Sequence, residues 1–386
     1  METQNIWGPL AHRYETERPR KILSLDGGGI RGVITLEMLL ELENKLRAEL
    51  NNPNLLLGDY FDYIGGTSTG AIIATGLARG MSVSALLNFY AKKGQAMFDK
   101  AFLLKKVKYF YNDGHLLQEL KNTFGSGDID LKSGEFKSLL LVVTMNRSTD
   151  SPWPISNNPN AKYNHSGRSD CNLRIPLYQL VRASTAAPAY FRPETLQWDP
   201  NDPEKTFIFV DGGVTPYNNP AFLLYRMATQ KPYGLNWKTG EKNLLIVSVG
   251  TGAAVSTGGY SNLLDTLSSL PTNLMYAMSV DQDINCRTVG RCIYGAQIDR
   301  EMGDLIPMDK DGKVLPLDND ANRHFSYIRY NADLSDRGLA ALGLPDIDAE
   351  KVQQMDCVDA MDDMREVGKA AGKAQVNMDH FRHFLK

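Results

Sequence analysis

The stretch Phe61-Asp62-Tyr63-Ile64-Gly65-Gly66-Thr67-Ser68-Thr69-Gly70 constrains this chain more than any other. A short apolar strand pattern runs into a serine flanked two residues away by Gly66 and Gly70, and then into a helical pattern over 71–79. A serine at such a strand-to-helix turn needs small neighbours. Side chains at 66 or 70 would crowd the bend, whereas two glycines let the backbone take a strained shape that pushes the hydroxyl outward. The helix that follows adds unpaired N–H groups and the positive end of its dipole. Ser68 therefore reads as a nucleophile, although the same pentapeptide also arises by chance in glycine-rich loops.

Upstream, residues 21–25 alternate as a strand and run into Asp26-Gly27-Gly28-Gly29-Ile30-Arg31-Gly32, and a helix pattern over 33–50 stops at Asn51-Asn52-Pro53. Strand, glycine loop, helix and strand in that order make a right-handed β-α-β unit and hence a parallel sheet. Downstream the pattern gives helices over 83–98 and 116–124, a buried strand over 139–143, a Ser/Asn/Pro-rich surface excursion or lid over 147–171, and a helix over 176–187. The end of that helix is rich enough in small residues to pack closely against another backbone. A strand over 207–210 ends in Asp211-Gly212-Gly213, a helix spans 221–228, and a last parallel-type strand covers 244–249. A long helix from 263, a strand-like segment over 325–330 and helices from 349 onward complete the pattern. The expectation is one domain over 1–386, with a core at about 21–252 and an elaboration at about 253–386.

A formal charge of −3 over 386 residues gives no global basic field, which argues against a nucleic acid polymer as partner. The polar lead-in over 1–20 has no secretory pattern, and no apolar run is long enough to suggest a spanning helix. Four scattered cysteines match no zinc spacing and point to reduced thiols in an intracellular setting. Within 99–113, Lys100, Lys105, Lys106 and Lys108 are interleaved with aromatic and aliphatic residues. That mix suits either a segment lying at an anionic membrane surface or an ordinary helix with solvated lysines.

Ester cleavage at a serine needs a base for its proton and donors for the oxyanion. Asp211 can accept the proton, with Gly212 and Gly213 allowing the turn, although Asp-Gly is first of all a turn signal. Gly27, Gly28 and Gly29 offer backbone N–H groups with no side chains in the way, and Arg31 can add positive charge. These groups sit at expected strand ends, and the carboxyl ends of parallel strands share one edge. Gly27-x-Gly29-x-x-Gly32 also fits a dinucleotide-binding loop, but the next strand ends in Gly65-Gly66-Thr67-Ser68 instead of the acidic residue that holds a ribose. No histidine is placed to complete a triad, which favours a Ser/Asp pair.

The three blocks Asp26–Gly32, Gly66–Gly70 and Asp211–Gly213 resemble, in order, the signature blocks of the patatin-like phospholipases. The small-residue stretch leading to Pro188 is similar to a further block of that family. The resemblance implies a three-layer α/β/α hydrolase with a mostly parallel sheet. It implies a Ser68/Asp211 dyad, an oxyanion hole from Gly27 to Gly29 with Arg31 nearby, an elbow built on Gly66 and Gly70, and lipid acyl hydrolysis without a metal or other cofactor. Segments beyond residue 280 look like the longer bacterial members, some of which are antiviral effectors switched on by a cyclic dinucleotide. The partners this implies are membrane phospholipid, met from the cytoplasm at the inner membrane face, and a cyclic dinucleotide activator; a homo-oligomer is a separate expectation that the resemblance does not carry. Arg287, Arg291, Lys105 and Lys106 are candidates for contacting the activator.

Overall fold

The computed structural model describes residues 7–15, 17–98, 114–132, 135–188, 191–253, 263–298, 301, 304–317 and 322–385. The lysine- and aromatic-rich connector over 99–113, with Lys105 and Lys106, lies outside them.

In chain order, β1 (Arg20–Leu25) leads through the glycine loop to α1 (Gly32–Glu49), and β2 (Tyr63–Thr67) leads to α2 (Thr69–Ala78). Then come α3 (Val83–Phe98), α4 (Gly114–Phe124), β3 (Leu139–Asn146), β4 (Ser151–Ser156), α5 (Leu177–Ser184), β5 (Glu194–Asp199), β6 (Asp202–Asp211) and α6 (Ala221–Thr229). The remainder is β7 (Leu244–Val249), α7 (Leu263–Val289), β8 (Arg291–Tyr294), β9 (Ser326–Tyr330) and, among shorter helices, α8 (Met361–Gln375). One nine-stranded sheet runs β5-β6-β3-β2-β1-β7-β9-β8, with β4 on the free edge of β3. From β3 to β8 every pairing is parallel.

The central strands are near-continuous apolar runs because both faces of a parallel sheet are covered. Leu23, Ile64, Val142 and Val247 pack on one side with α1, α2, α3, α5 and α8. Ile22, Tyr63, Leu141 and Ile246 pack on the other with α6 and Cys286 from the end of α7. The architecture is therefore three-layer α/β/α with a mostly parallel sheet.

Three expectations are corrected. Part of the segment over 147–171, expected as a surface excursion or lid, is instead strand: 151–156 form β4, antiparallel to β3, and Trp153 packs in an aromatic cluster with Trp198, Phe207 and Phe209. The lead-in is not merely polar: Trp7 stacks on Tyr14, and buried Arg13 donates to Asp62, to Gly58 O and to Phe61 O. Asp211 does not end a parallel strand. Its strand β6 is antiparallel to β3 and pairs only through Phe209, Val210 and Asp211.

That last difference is what assembles the site. One edge of β3 is taken up by β4 from Leu141 to Asn146. Along the other edge β2 occupies Leu139 to Val143 and β6 occupies Thr144 to Asn146. The two strands thus meet head to head. Thr67 lies opposite Val143 and Asp211 opposite Thr144, so the chain leaving β2 at Ser68 runs into the last residue of β6.

Candidate active site

Ser68 sits on the bend between β2 and α2 with φ 55° and ψ −124°, a conformation strained for any side-chain-bearing residue. The glycines make the bend physically attainable. A Cβ on Gly66 would come within 2.1 Å of Gly70 O, and one on Gly70 within 2.3 Å of Leu25 O.

Ser68 Oγ donates to Asp211 Oδ2 at 2.6 Å, and the N–H of Gly213 donates to Asp211 Oδ1 at 2.7 Å. Burial pushes the Asp211 carboxyl up to about 6, against the opposing pull of the Ser68 and Gly213 hydrogen bonds and the charge of Arg182. The carboxylate is thus a stronger base than an exposed aspartate yet still mostly ionised at neutral pH.

The end of α5 ties both residues down. The N–H of Ser68 donates to Ser184 Oγ at 3.0 Å, and Ser184 Oγ donates to Val143 O at 2.6 Å. The N–H of Asp211 donates to Ala186 O at 3.0 Å. Ser184 was not singled out from the sequence; the signal for it was the run of small residues, which allows this close approach. Ser184→Ala leaves the buried N–H of Ser68 without an acceptor and should lower stability by about 1–3 kcal/mol, read as a shifted urea midpoint at unchanged slope.

Gly28 and Gly29 line a cavity of about 350 Å³ together with Ser68 and Asp211. Its remaining wall is mainly apolar, including Ile72, Phe98, Phe191, Leu274 and Met278. Among the described residues nothing accepts from the N–H of Gly28 or Gly29, whereas that of Gly27 donates to Asn218 O at 3.1 Å. Substitution in the loop is barred on both counts: a Cβ on Gly28 would meet Thr251 Oγ1 at 2.2 Å, and one on Gly29, where φ is +61°, would meet Met355 O at 2.2 Å.

Gly27 and Arg31 instead line a neighbouring cavity, which does not include Ser68. Arg287 faces that second cavity and pairs with Asp283 through Nε at 2.7 Å and Nη2 at 3.0 Å. Arg291 is buried elsewhere, donating to Leu315 O and Pro316 O. No described histidine lines the Ser68 cavity: His324 pairs with Tyr225 and His380 with Tyr330.

A strained serine between a parallel β-strand and a helix, hydrogen-bonded to a buried carboxylate at a cavity that Gly28 and Gly29 also line, places this chain among α/β proteins with a serine on a strand-to-helix elbow. Residues 23–225, more than half of the chain, match the family described as patatin-like phospholipase, and the chain belongs to that family. It is 30% identical over 247 residues to a cGAMP-activated phospholipase of Vibrio cholerae, covering 60% of this chain and 64% of that one. It is 27% identical over 241 residues to a cGAMP-activated phospholipase of Escherichia coli, covering 61% and 63% respectively. With Patatin-17 of Solanum cardiophyllum the identity is 31% over 246 residues and the coverage 60% of each chain. The match therefore spans less than two thirds of the length of these relatives. Among the described residues no helix is long and apolar enough to cross a membrane.

Proposed function

We propose that this protein is a serine acyl hydrolase that cleaves fatty-acyl esters of membrane glycerophospholipids or lysophospholipids. The observation that carries this reading is the 2.6 Å hydrogen bond from Ser68 to Asp211 at the wall of a largely apolar cavity. The acyl chain lies in that cavity. Ser68 Oγ attacks the ester carbonyl while its proton passes to Asp211. The N–H groups of Gly28 and Gly29 receive the oxyanion, and the dipole of α2 favours the same charge. As the tetrahedral intermediate collapses, the proton on Asp211 goes to the leaving alkoxide. Asp211 then takes a proton from the water that attacks the acyl-enzyme, and as the second tetrahedral intermediate collapses it returns that proton to Ser68 Oγ, releasing the fatty acid and restoring the pair.

Gly27 and Arg31 support this loop from behind, Gly27 through its bond to Asn218 O. Membrane action at the cytoplasmic face, and activation by a cyclic dinucleotide as the names of the two bacterial relatives state for those proteins, are part of the same proposal.

Purified protein incubated with phosphatidylethanolamine vesicles, with and without cyclic GMP–AMP, should release fatty acid, and a fluorophosphonate should label Ser68. Absence of both under every condition would sink the reading. Because the base must be ionised, kcat/KM should fall about tenfold per pH unit below about 6, the value to which burial raises Asp211. A profile flat to pH 4 would remove Asp211 from the base role.

A further inference from the structure

The cavity that holds Gly27 and Arg31 has a volume of about 370 Å³ and lies outside the carboxyl ends of β1, β7, β9 and β8. β1 leads by way of α1 to β2 on one side and pairs with β7 on the other, so the strand order reverses between β1 and β7. In open α/β sheets that reversal is where ligands bind. The cavity is lined by Asp26 just after β1, Thr251 after β7, Arg329 from β9 and Tyr276 and Asp283 from α7.

Its charges do not balance. Arg329 donates to both oxygens of Asp26, at 2.9 and 2.6 Å, and Arg287 donates to both oxygens of Asp283. Those two carboxylates are therefore spent. Arg31 is only 7% exposed, and among the described residues no carboxylate pairs with it. Its Nη1 reaches Gln353 O at 3.2 Å and its Nε has no partner. Burial pulls it down to about 10, opposed only by the charge of Asp26. At the mouth Arg337 is exposed and also lacks an ion-pair partner among the described residues, while Asp333 is the one remaining carboxylate of the lining. A buried guanidinium without a counter-charge is costly, and a phosphate oxygen pair matches its fork. Tyr276, 37% exposed, lines the same cavity.

This cavity shares its wall with the Ser68 cavity. Met275 lines both, and Gly27 on one side is bonded directly to Gly28 on the other. Thr251 Oγ1 donates to Gly27 O at 3.1 Å from the polar side.

We propose that this polar cavity is a second ligand site, built for a phosphodiester anion held by Arg31 and Arg337, and that its occupant sets the position of the glycine loop. The loop's effect on catalysis rests on the acyl-hydrolase reading; the binding does not. Two sources share the chemistry: a soluble cyclic dinucleotide, or the headgroup of a lipid whose acyl chain fills the apolar cavity.

The test uses the full chain carrying Ser68→Ala, titrated by calorimetry with cyclic GMP–AMP, with sn-glycero-3-phosphocholine and with inorganic phosphate. One of the two diesters should bind saturably, more weakly as salt is raised, and Arg337→Gln should weaken it about tenfold. Arg337 is at the rim, so this variant does not depend on the core; Arg31→Lys is the buried counterpart. If the dinucleotide is the occupant, it should speed fluorophosphonate labelling of Ser68 in the wild-type chain. If the headgroup is, glycerophosphocholine should bind and slow that labelling. No diester binding at millimolar concentration, or binding that Arg337→Gln and Arg31→Lys leave unchanged, overturns the proposal. Binding that survives while Ser68 is never labelled overturns the hydrolase reading and leaves the site standing.

Discussion

Ser68→Ala should abolish fluorophosphonate labelling and lower fatty-acid release on the order of 10⁴-fold, with the protein still folded. The hydroxyl is the only atom lost, and the helix start and the two flanking glycines remain. Asp211→Asn should lower turnover by about 10³–10⁴-fold, since an amide cannot take the proton, but its effect on stability has the opposite sign. The carboxyl rises from 3.8 to about 6 on folding because burial disfavours its charge. A raised carboxyl means that the folded state holds the proton more tightly, so stability falls as pH rises from about 4 to about 6 and stays reduced above it. That difference corresponds to about 3 kcal/mol at pH 7. Asp211→Asn should therefore be more stable than wild type in urea at pH 7, and the gain should vanish below pH 4. A destabilised Asn variant at pH 7 would mean that the Ser68 and Gly213 hydrogen bonds outweigh the cost of burying the charge.

The largest loss of stability is expected at Asp62, which is fully buried. Its carboxylate accepts from Arg13, Arg18 and the N–H of Lys21, with Arg20 at 3.9 Å. Removing it takes the shared carboxylate away from Arg13 and Arg18 in a buried setting, and Asp62→Ala should cost about 3–5 kcal/mol. Glu366→Ala, which breaks the exposed pair with Lys369 on α8, is the control and should leave the urea midpoint unchanged. Equal effects of the two substitutions would show that the N-terminal segment is not clamped through Asp62.

The central strands were legible because a strand buried on both faces reads as a near-continuous apolar run, as at Leu139 to Val143 and Leu244 to Val247. The elbow was legible because its chemistry is local: glycine, serine and glycine within five residues. The flanking strands were not. β4 contains Pro152 and Pro154, which lack a donor and read as loop, yet an edge strand tolerates them. β5 is half polar because it pairs only with β6, and β8 has four residues. The direction of β6 is a tertiary fact. Nothing in Phe207 to Asp211 says whether that strand enters the sheet with or against its neighbours, and the placement of Asp211 depends on it. The polar cavity was illegible for the same reason. Arg31 and Arg329 are unremarkable singly, and only the fold shows that one has a carboxylate and the other does not.

The glycine loop closes late. The N–H of Ile30 donates to Met355 O at 2.9 Å, and Arg31 reaches Gln353 O, 322 residues downstream. A ribosome delivers the glycine run first, then Ser68 and Asp211, and long afterwards the segment that pins the run in place. A growing chain thus carries Ser68 and Asp211 before the segment that hydrogen-bonds the loop beside them has been made.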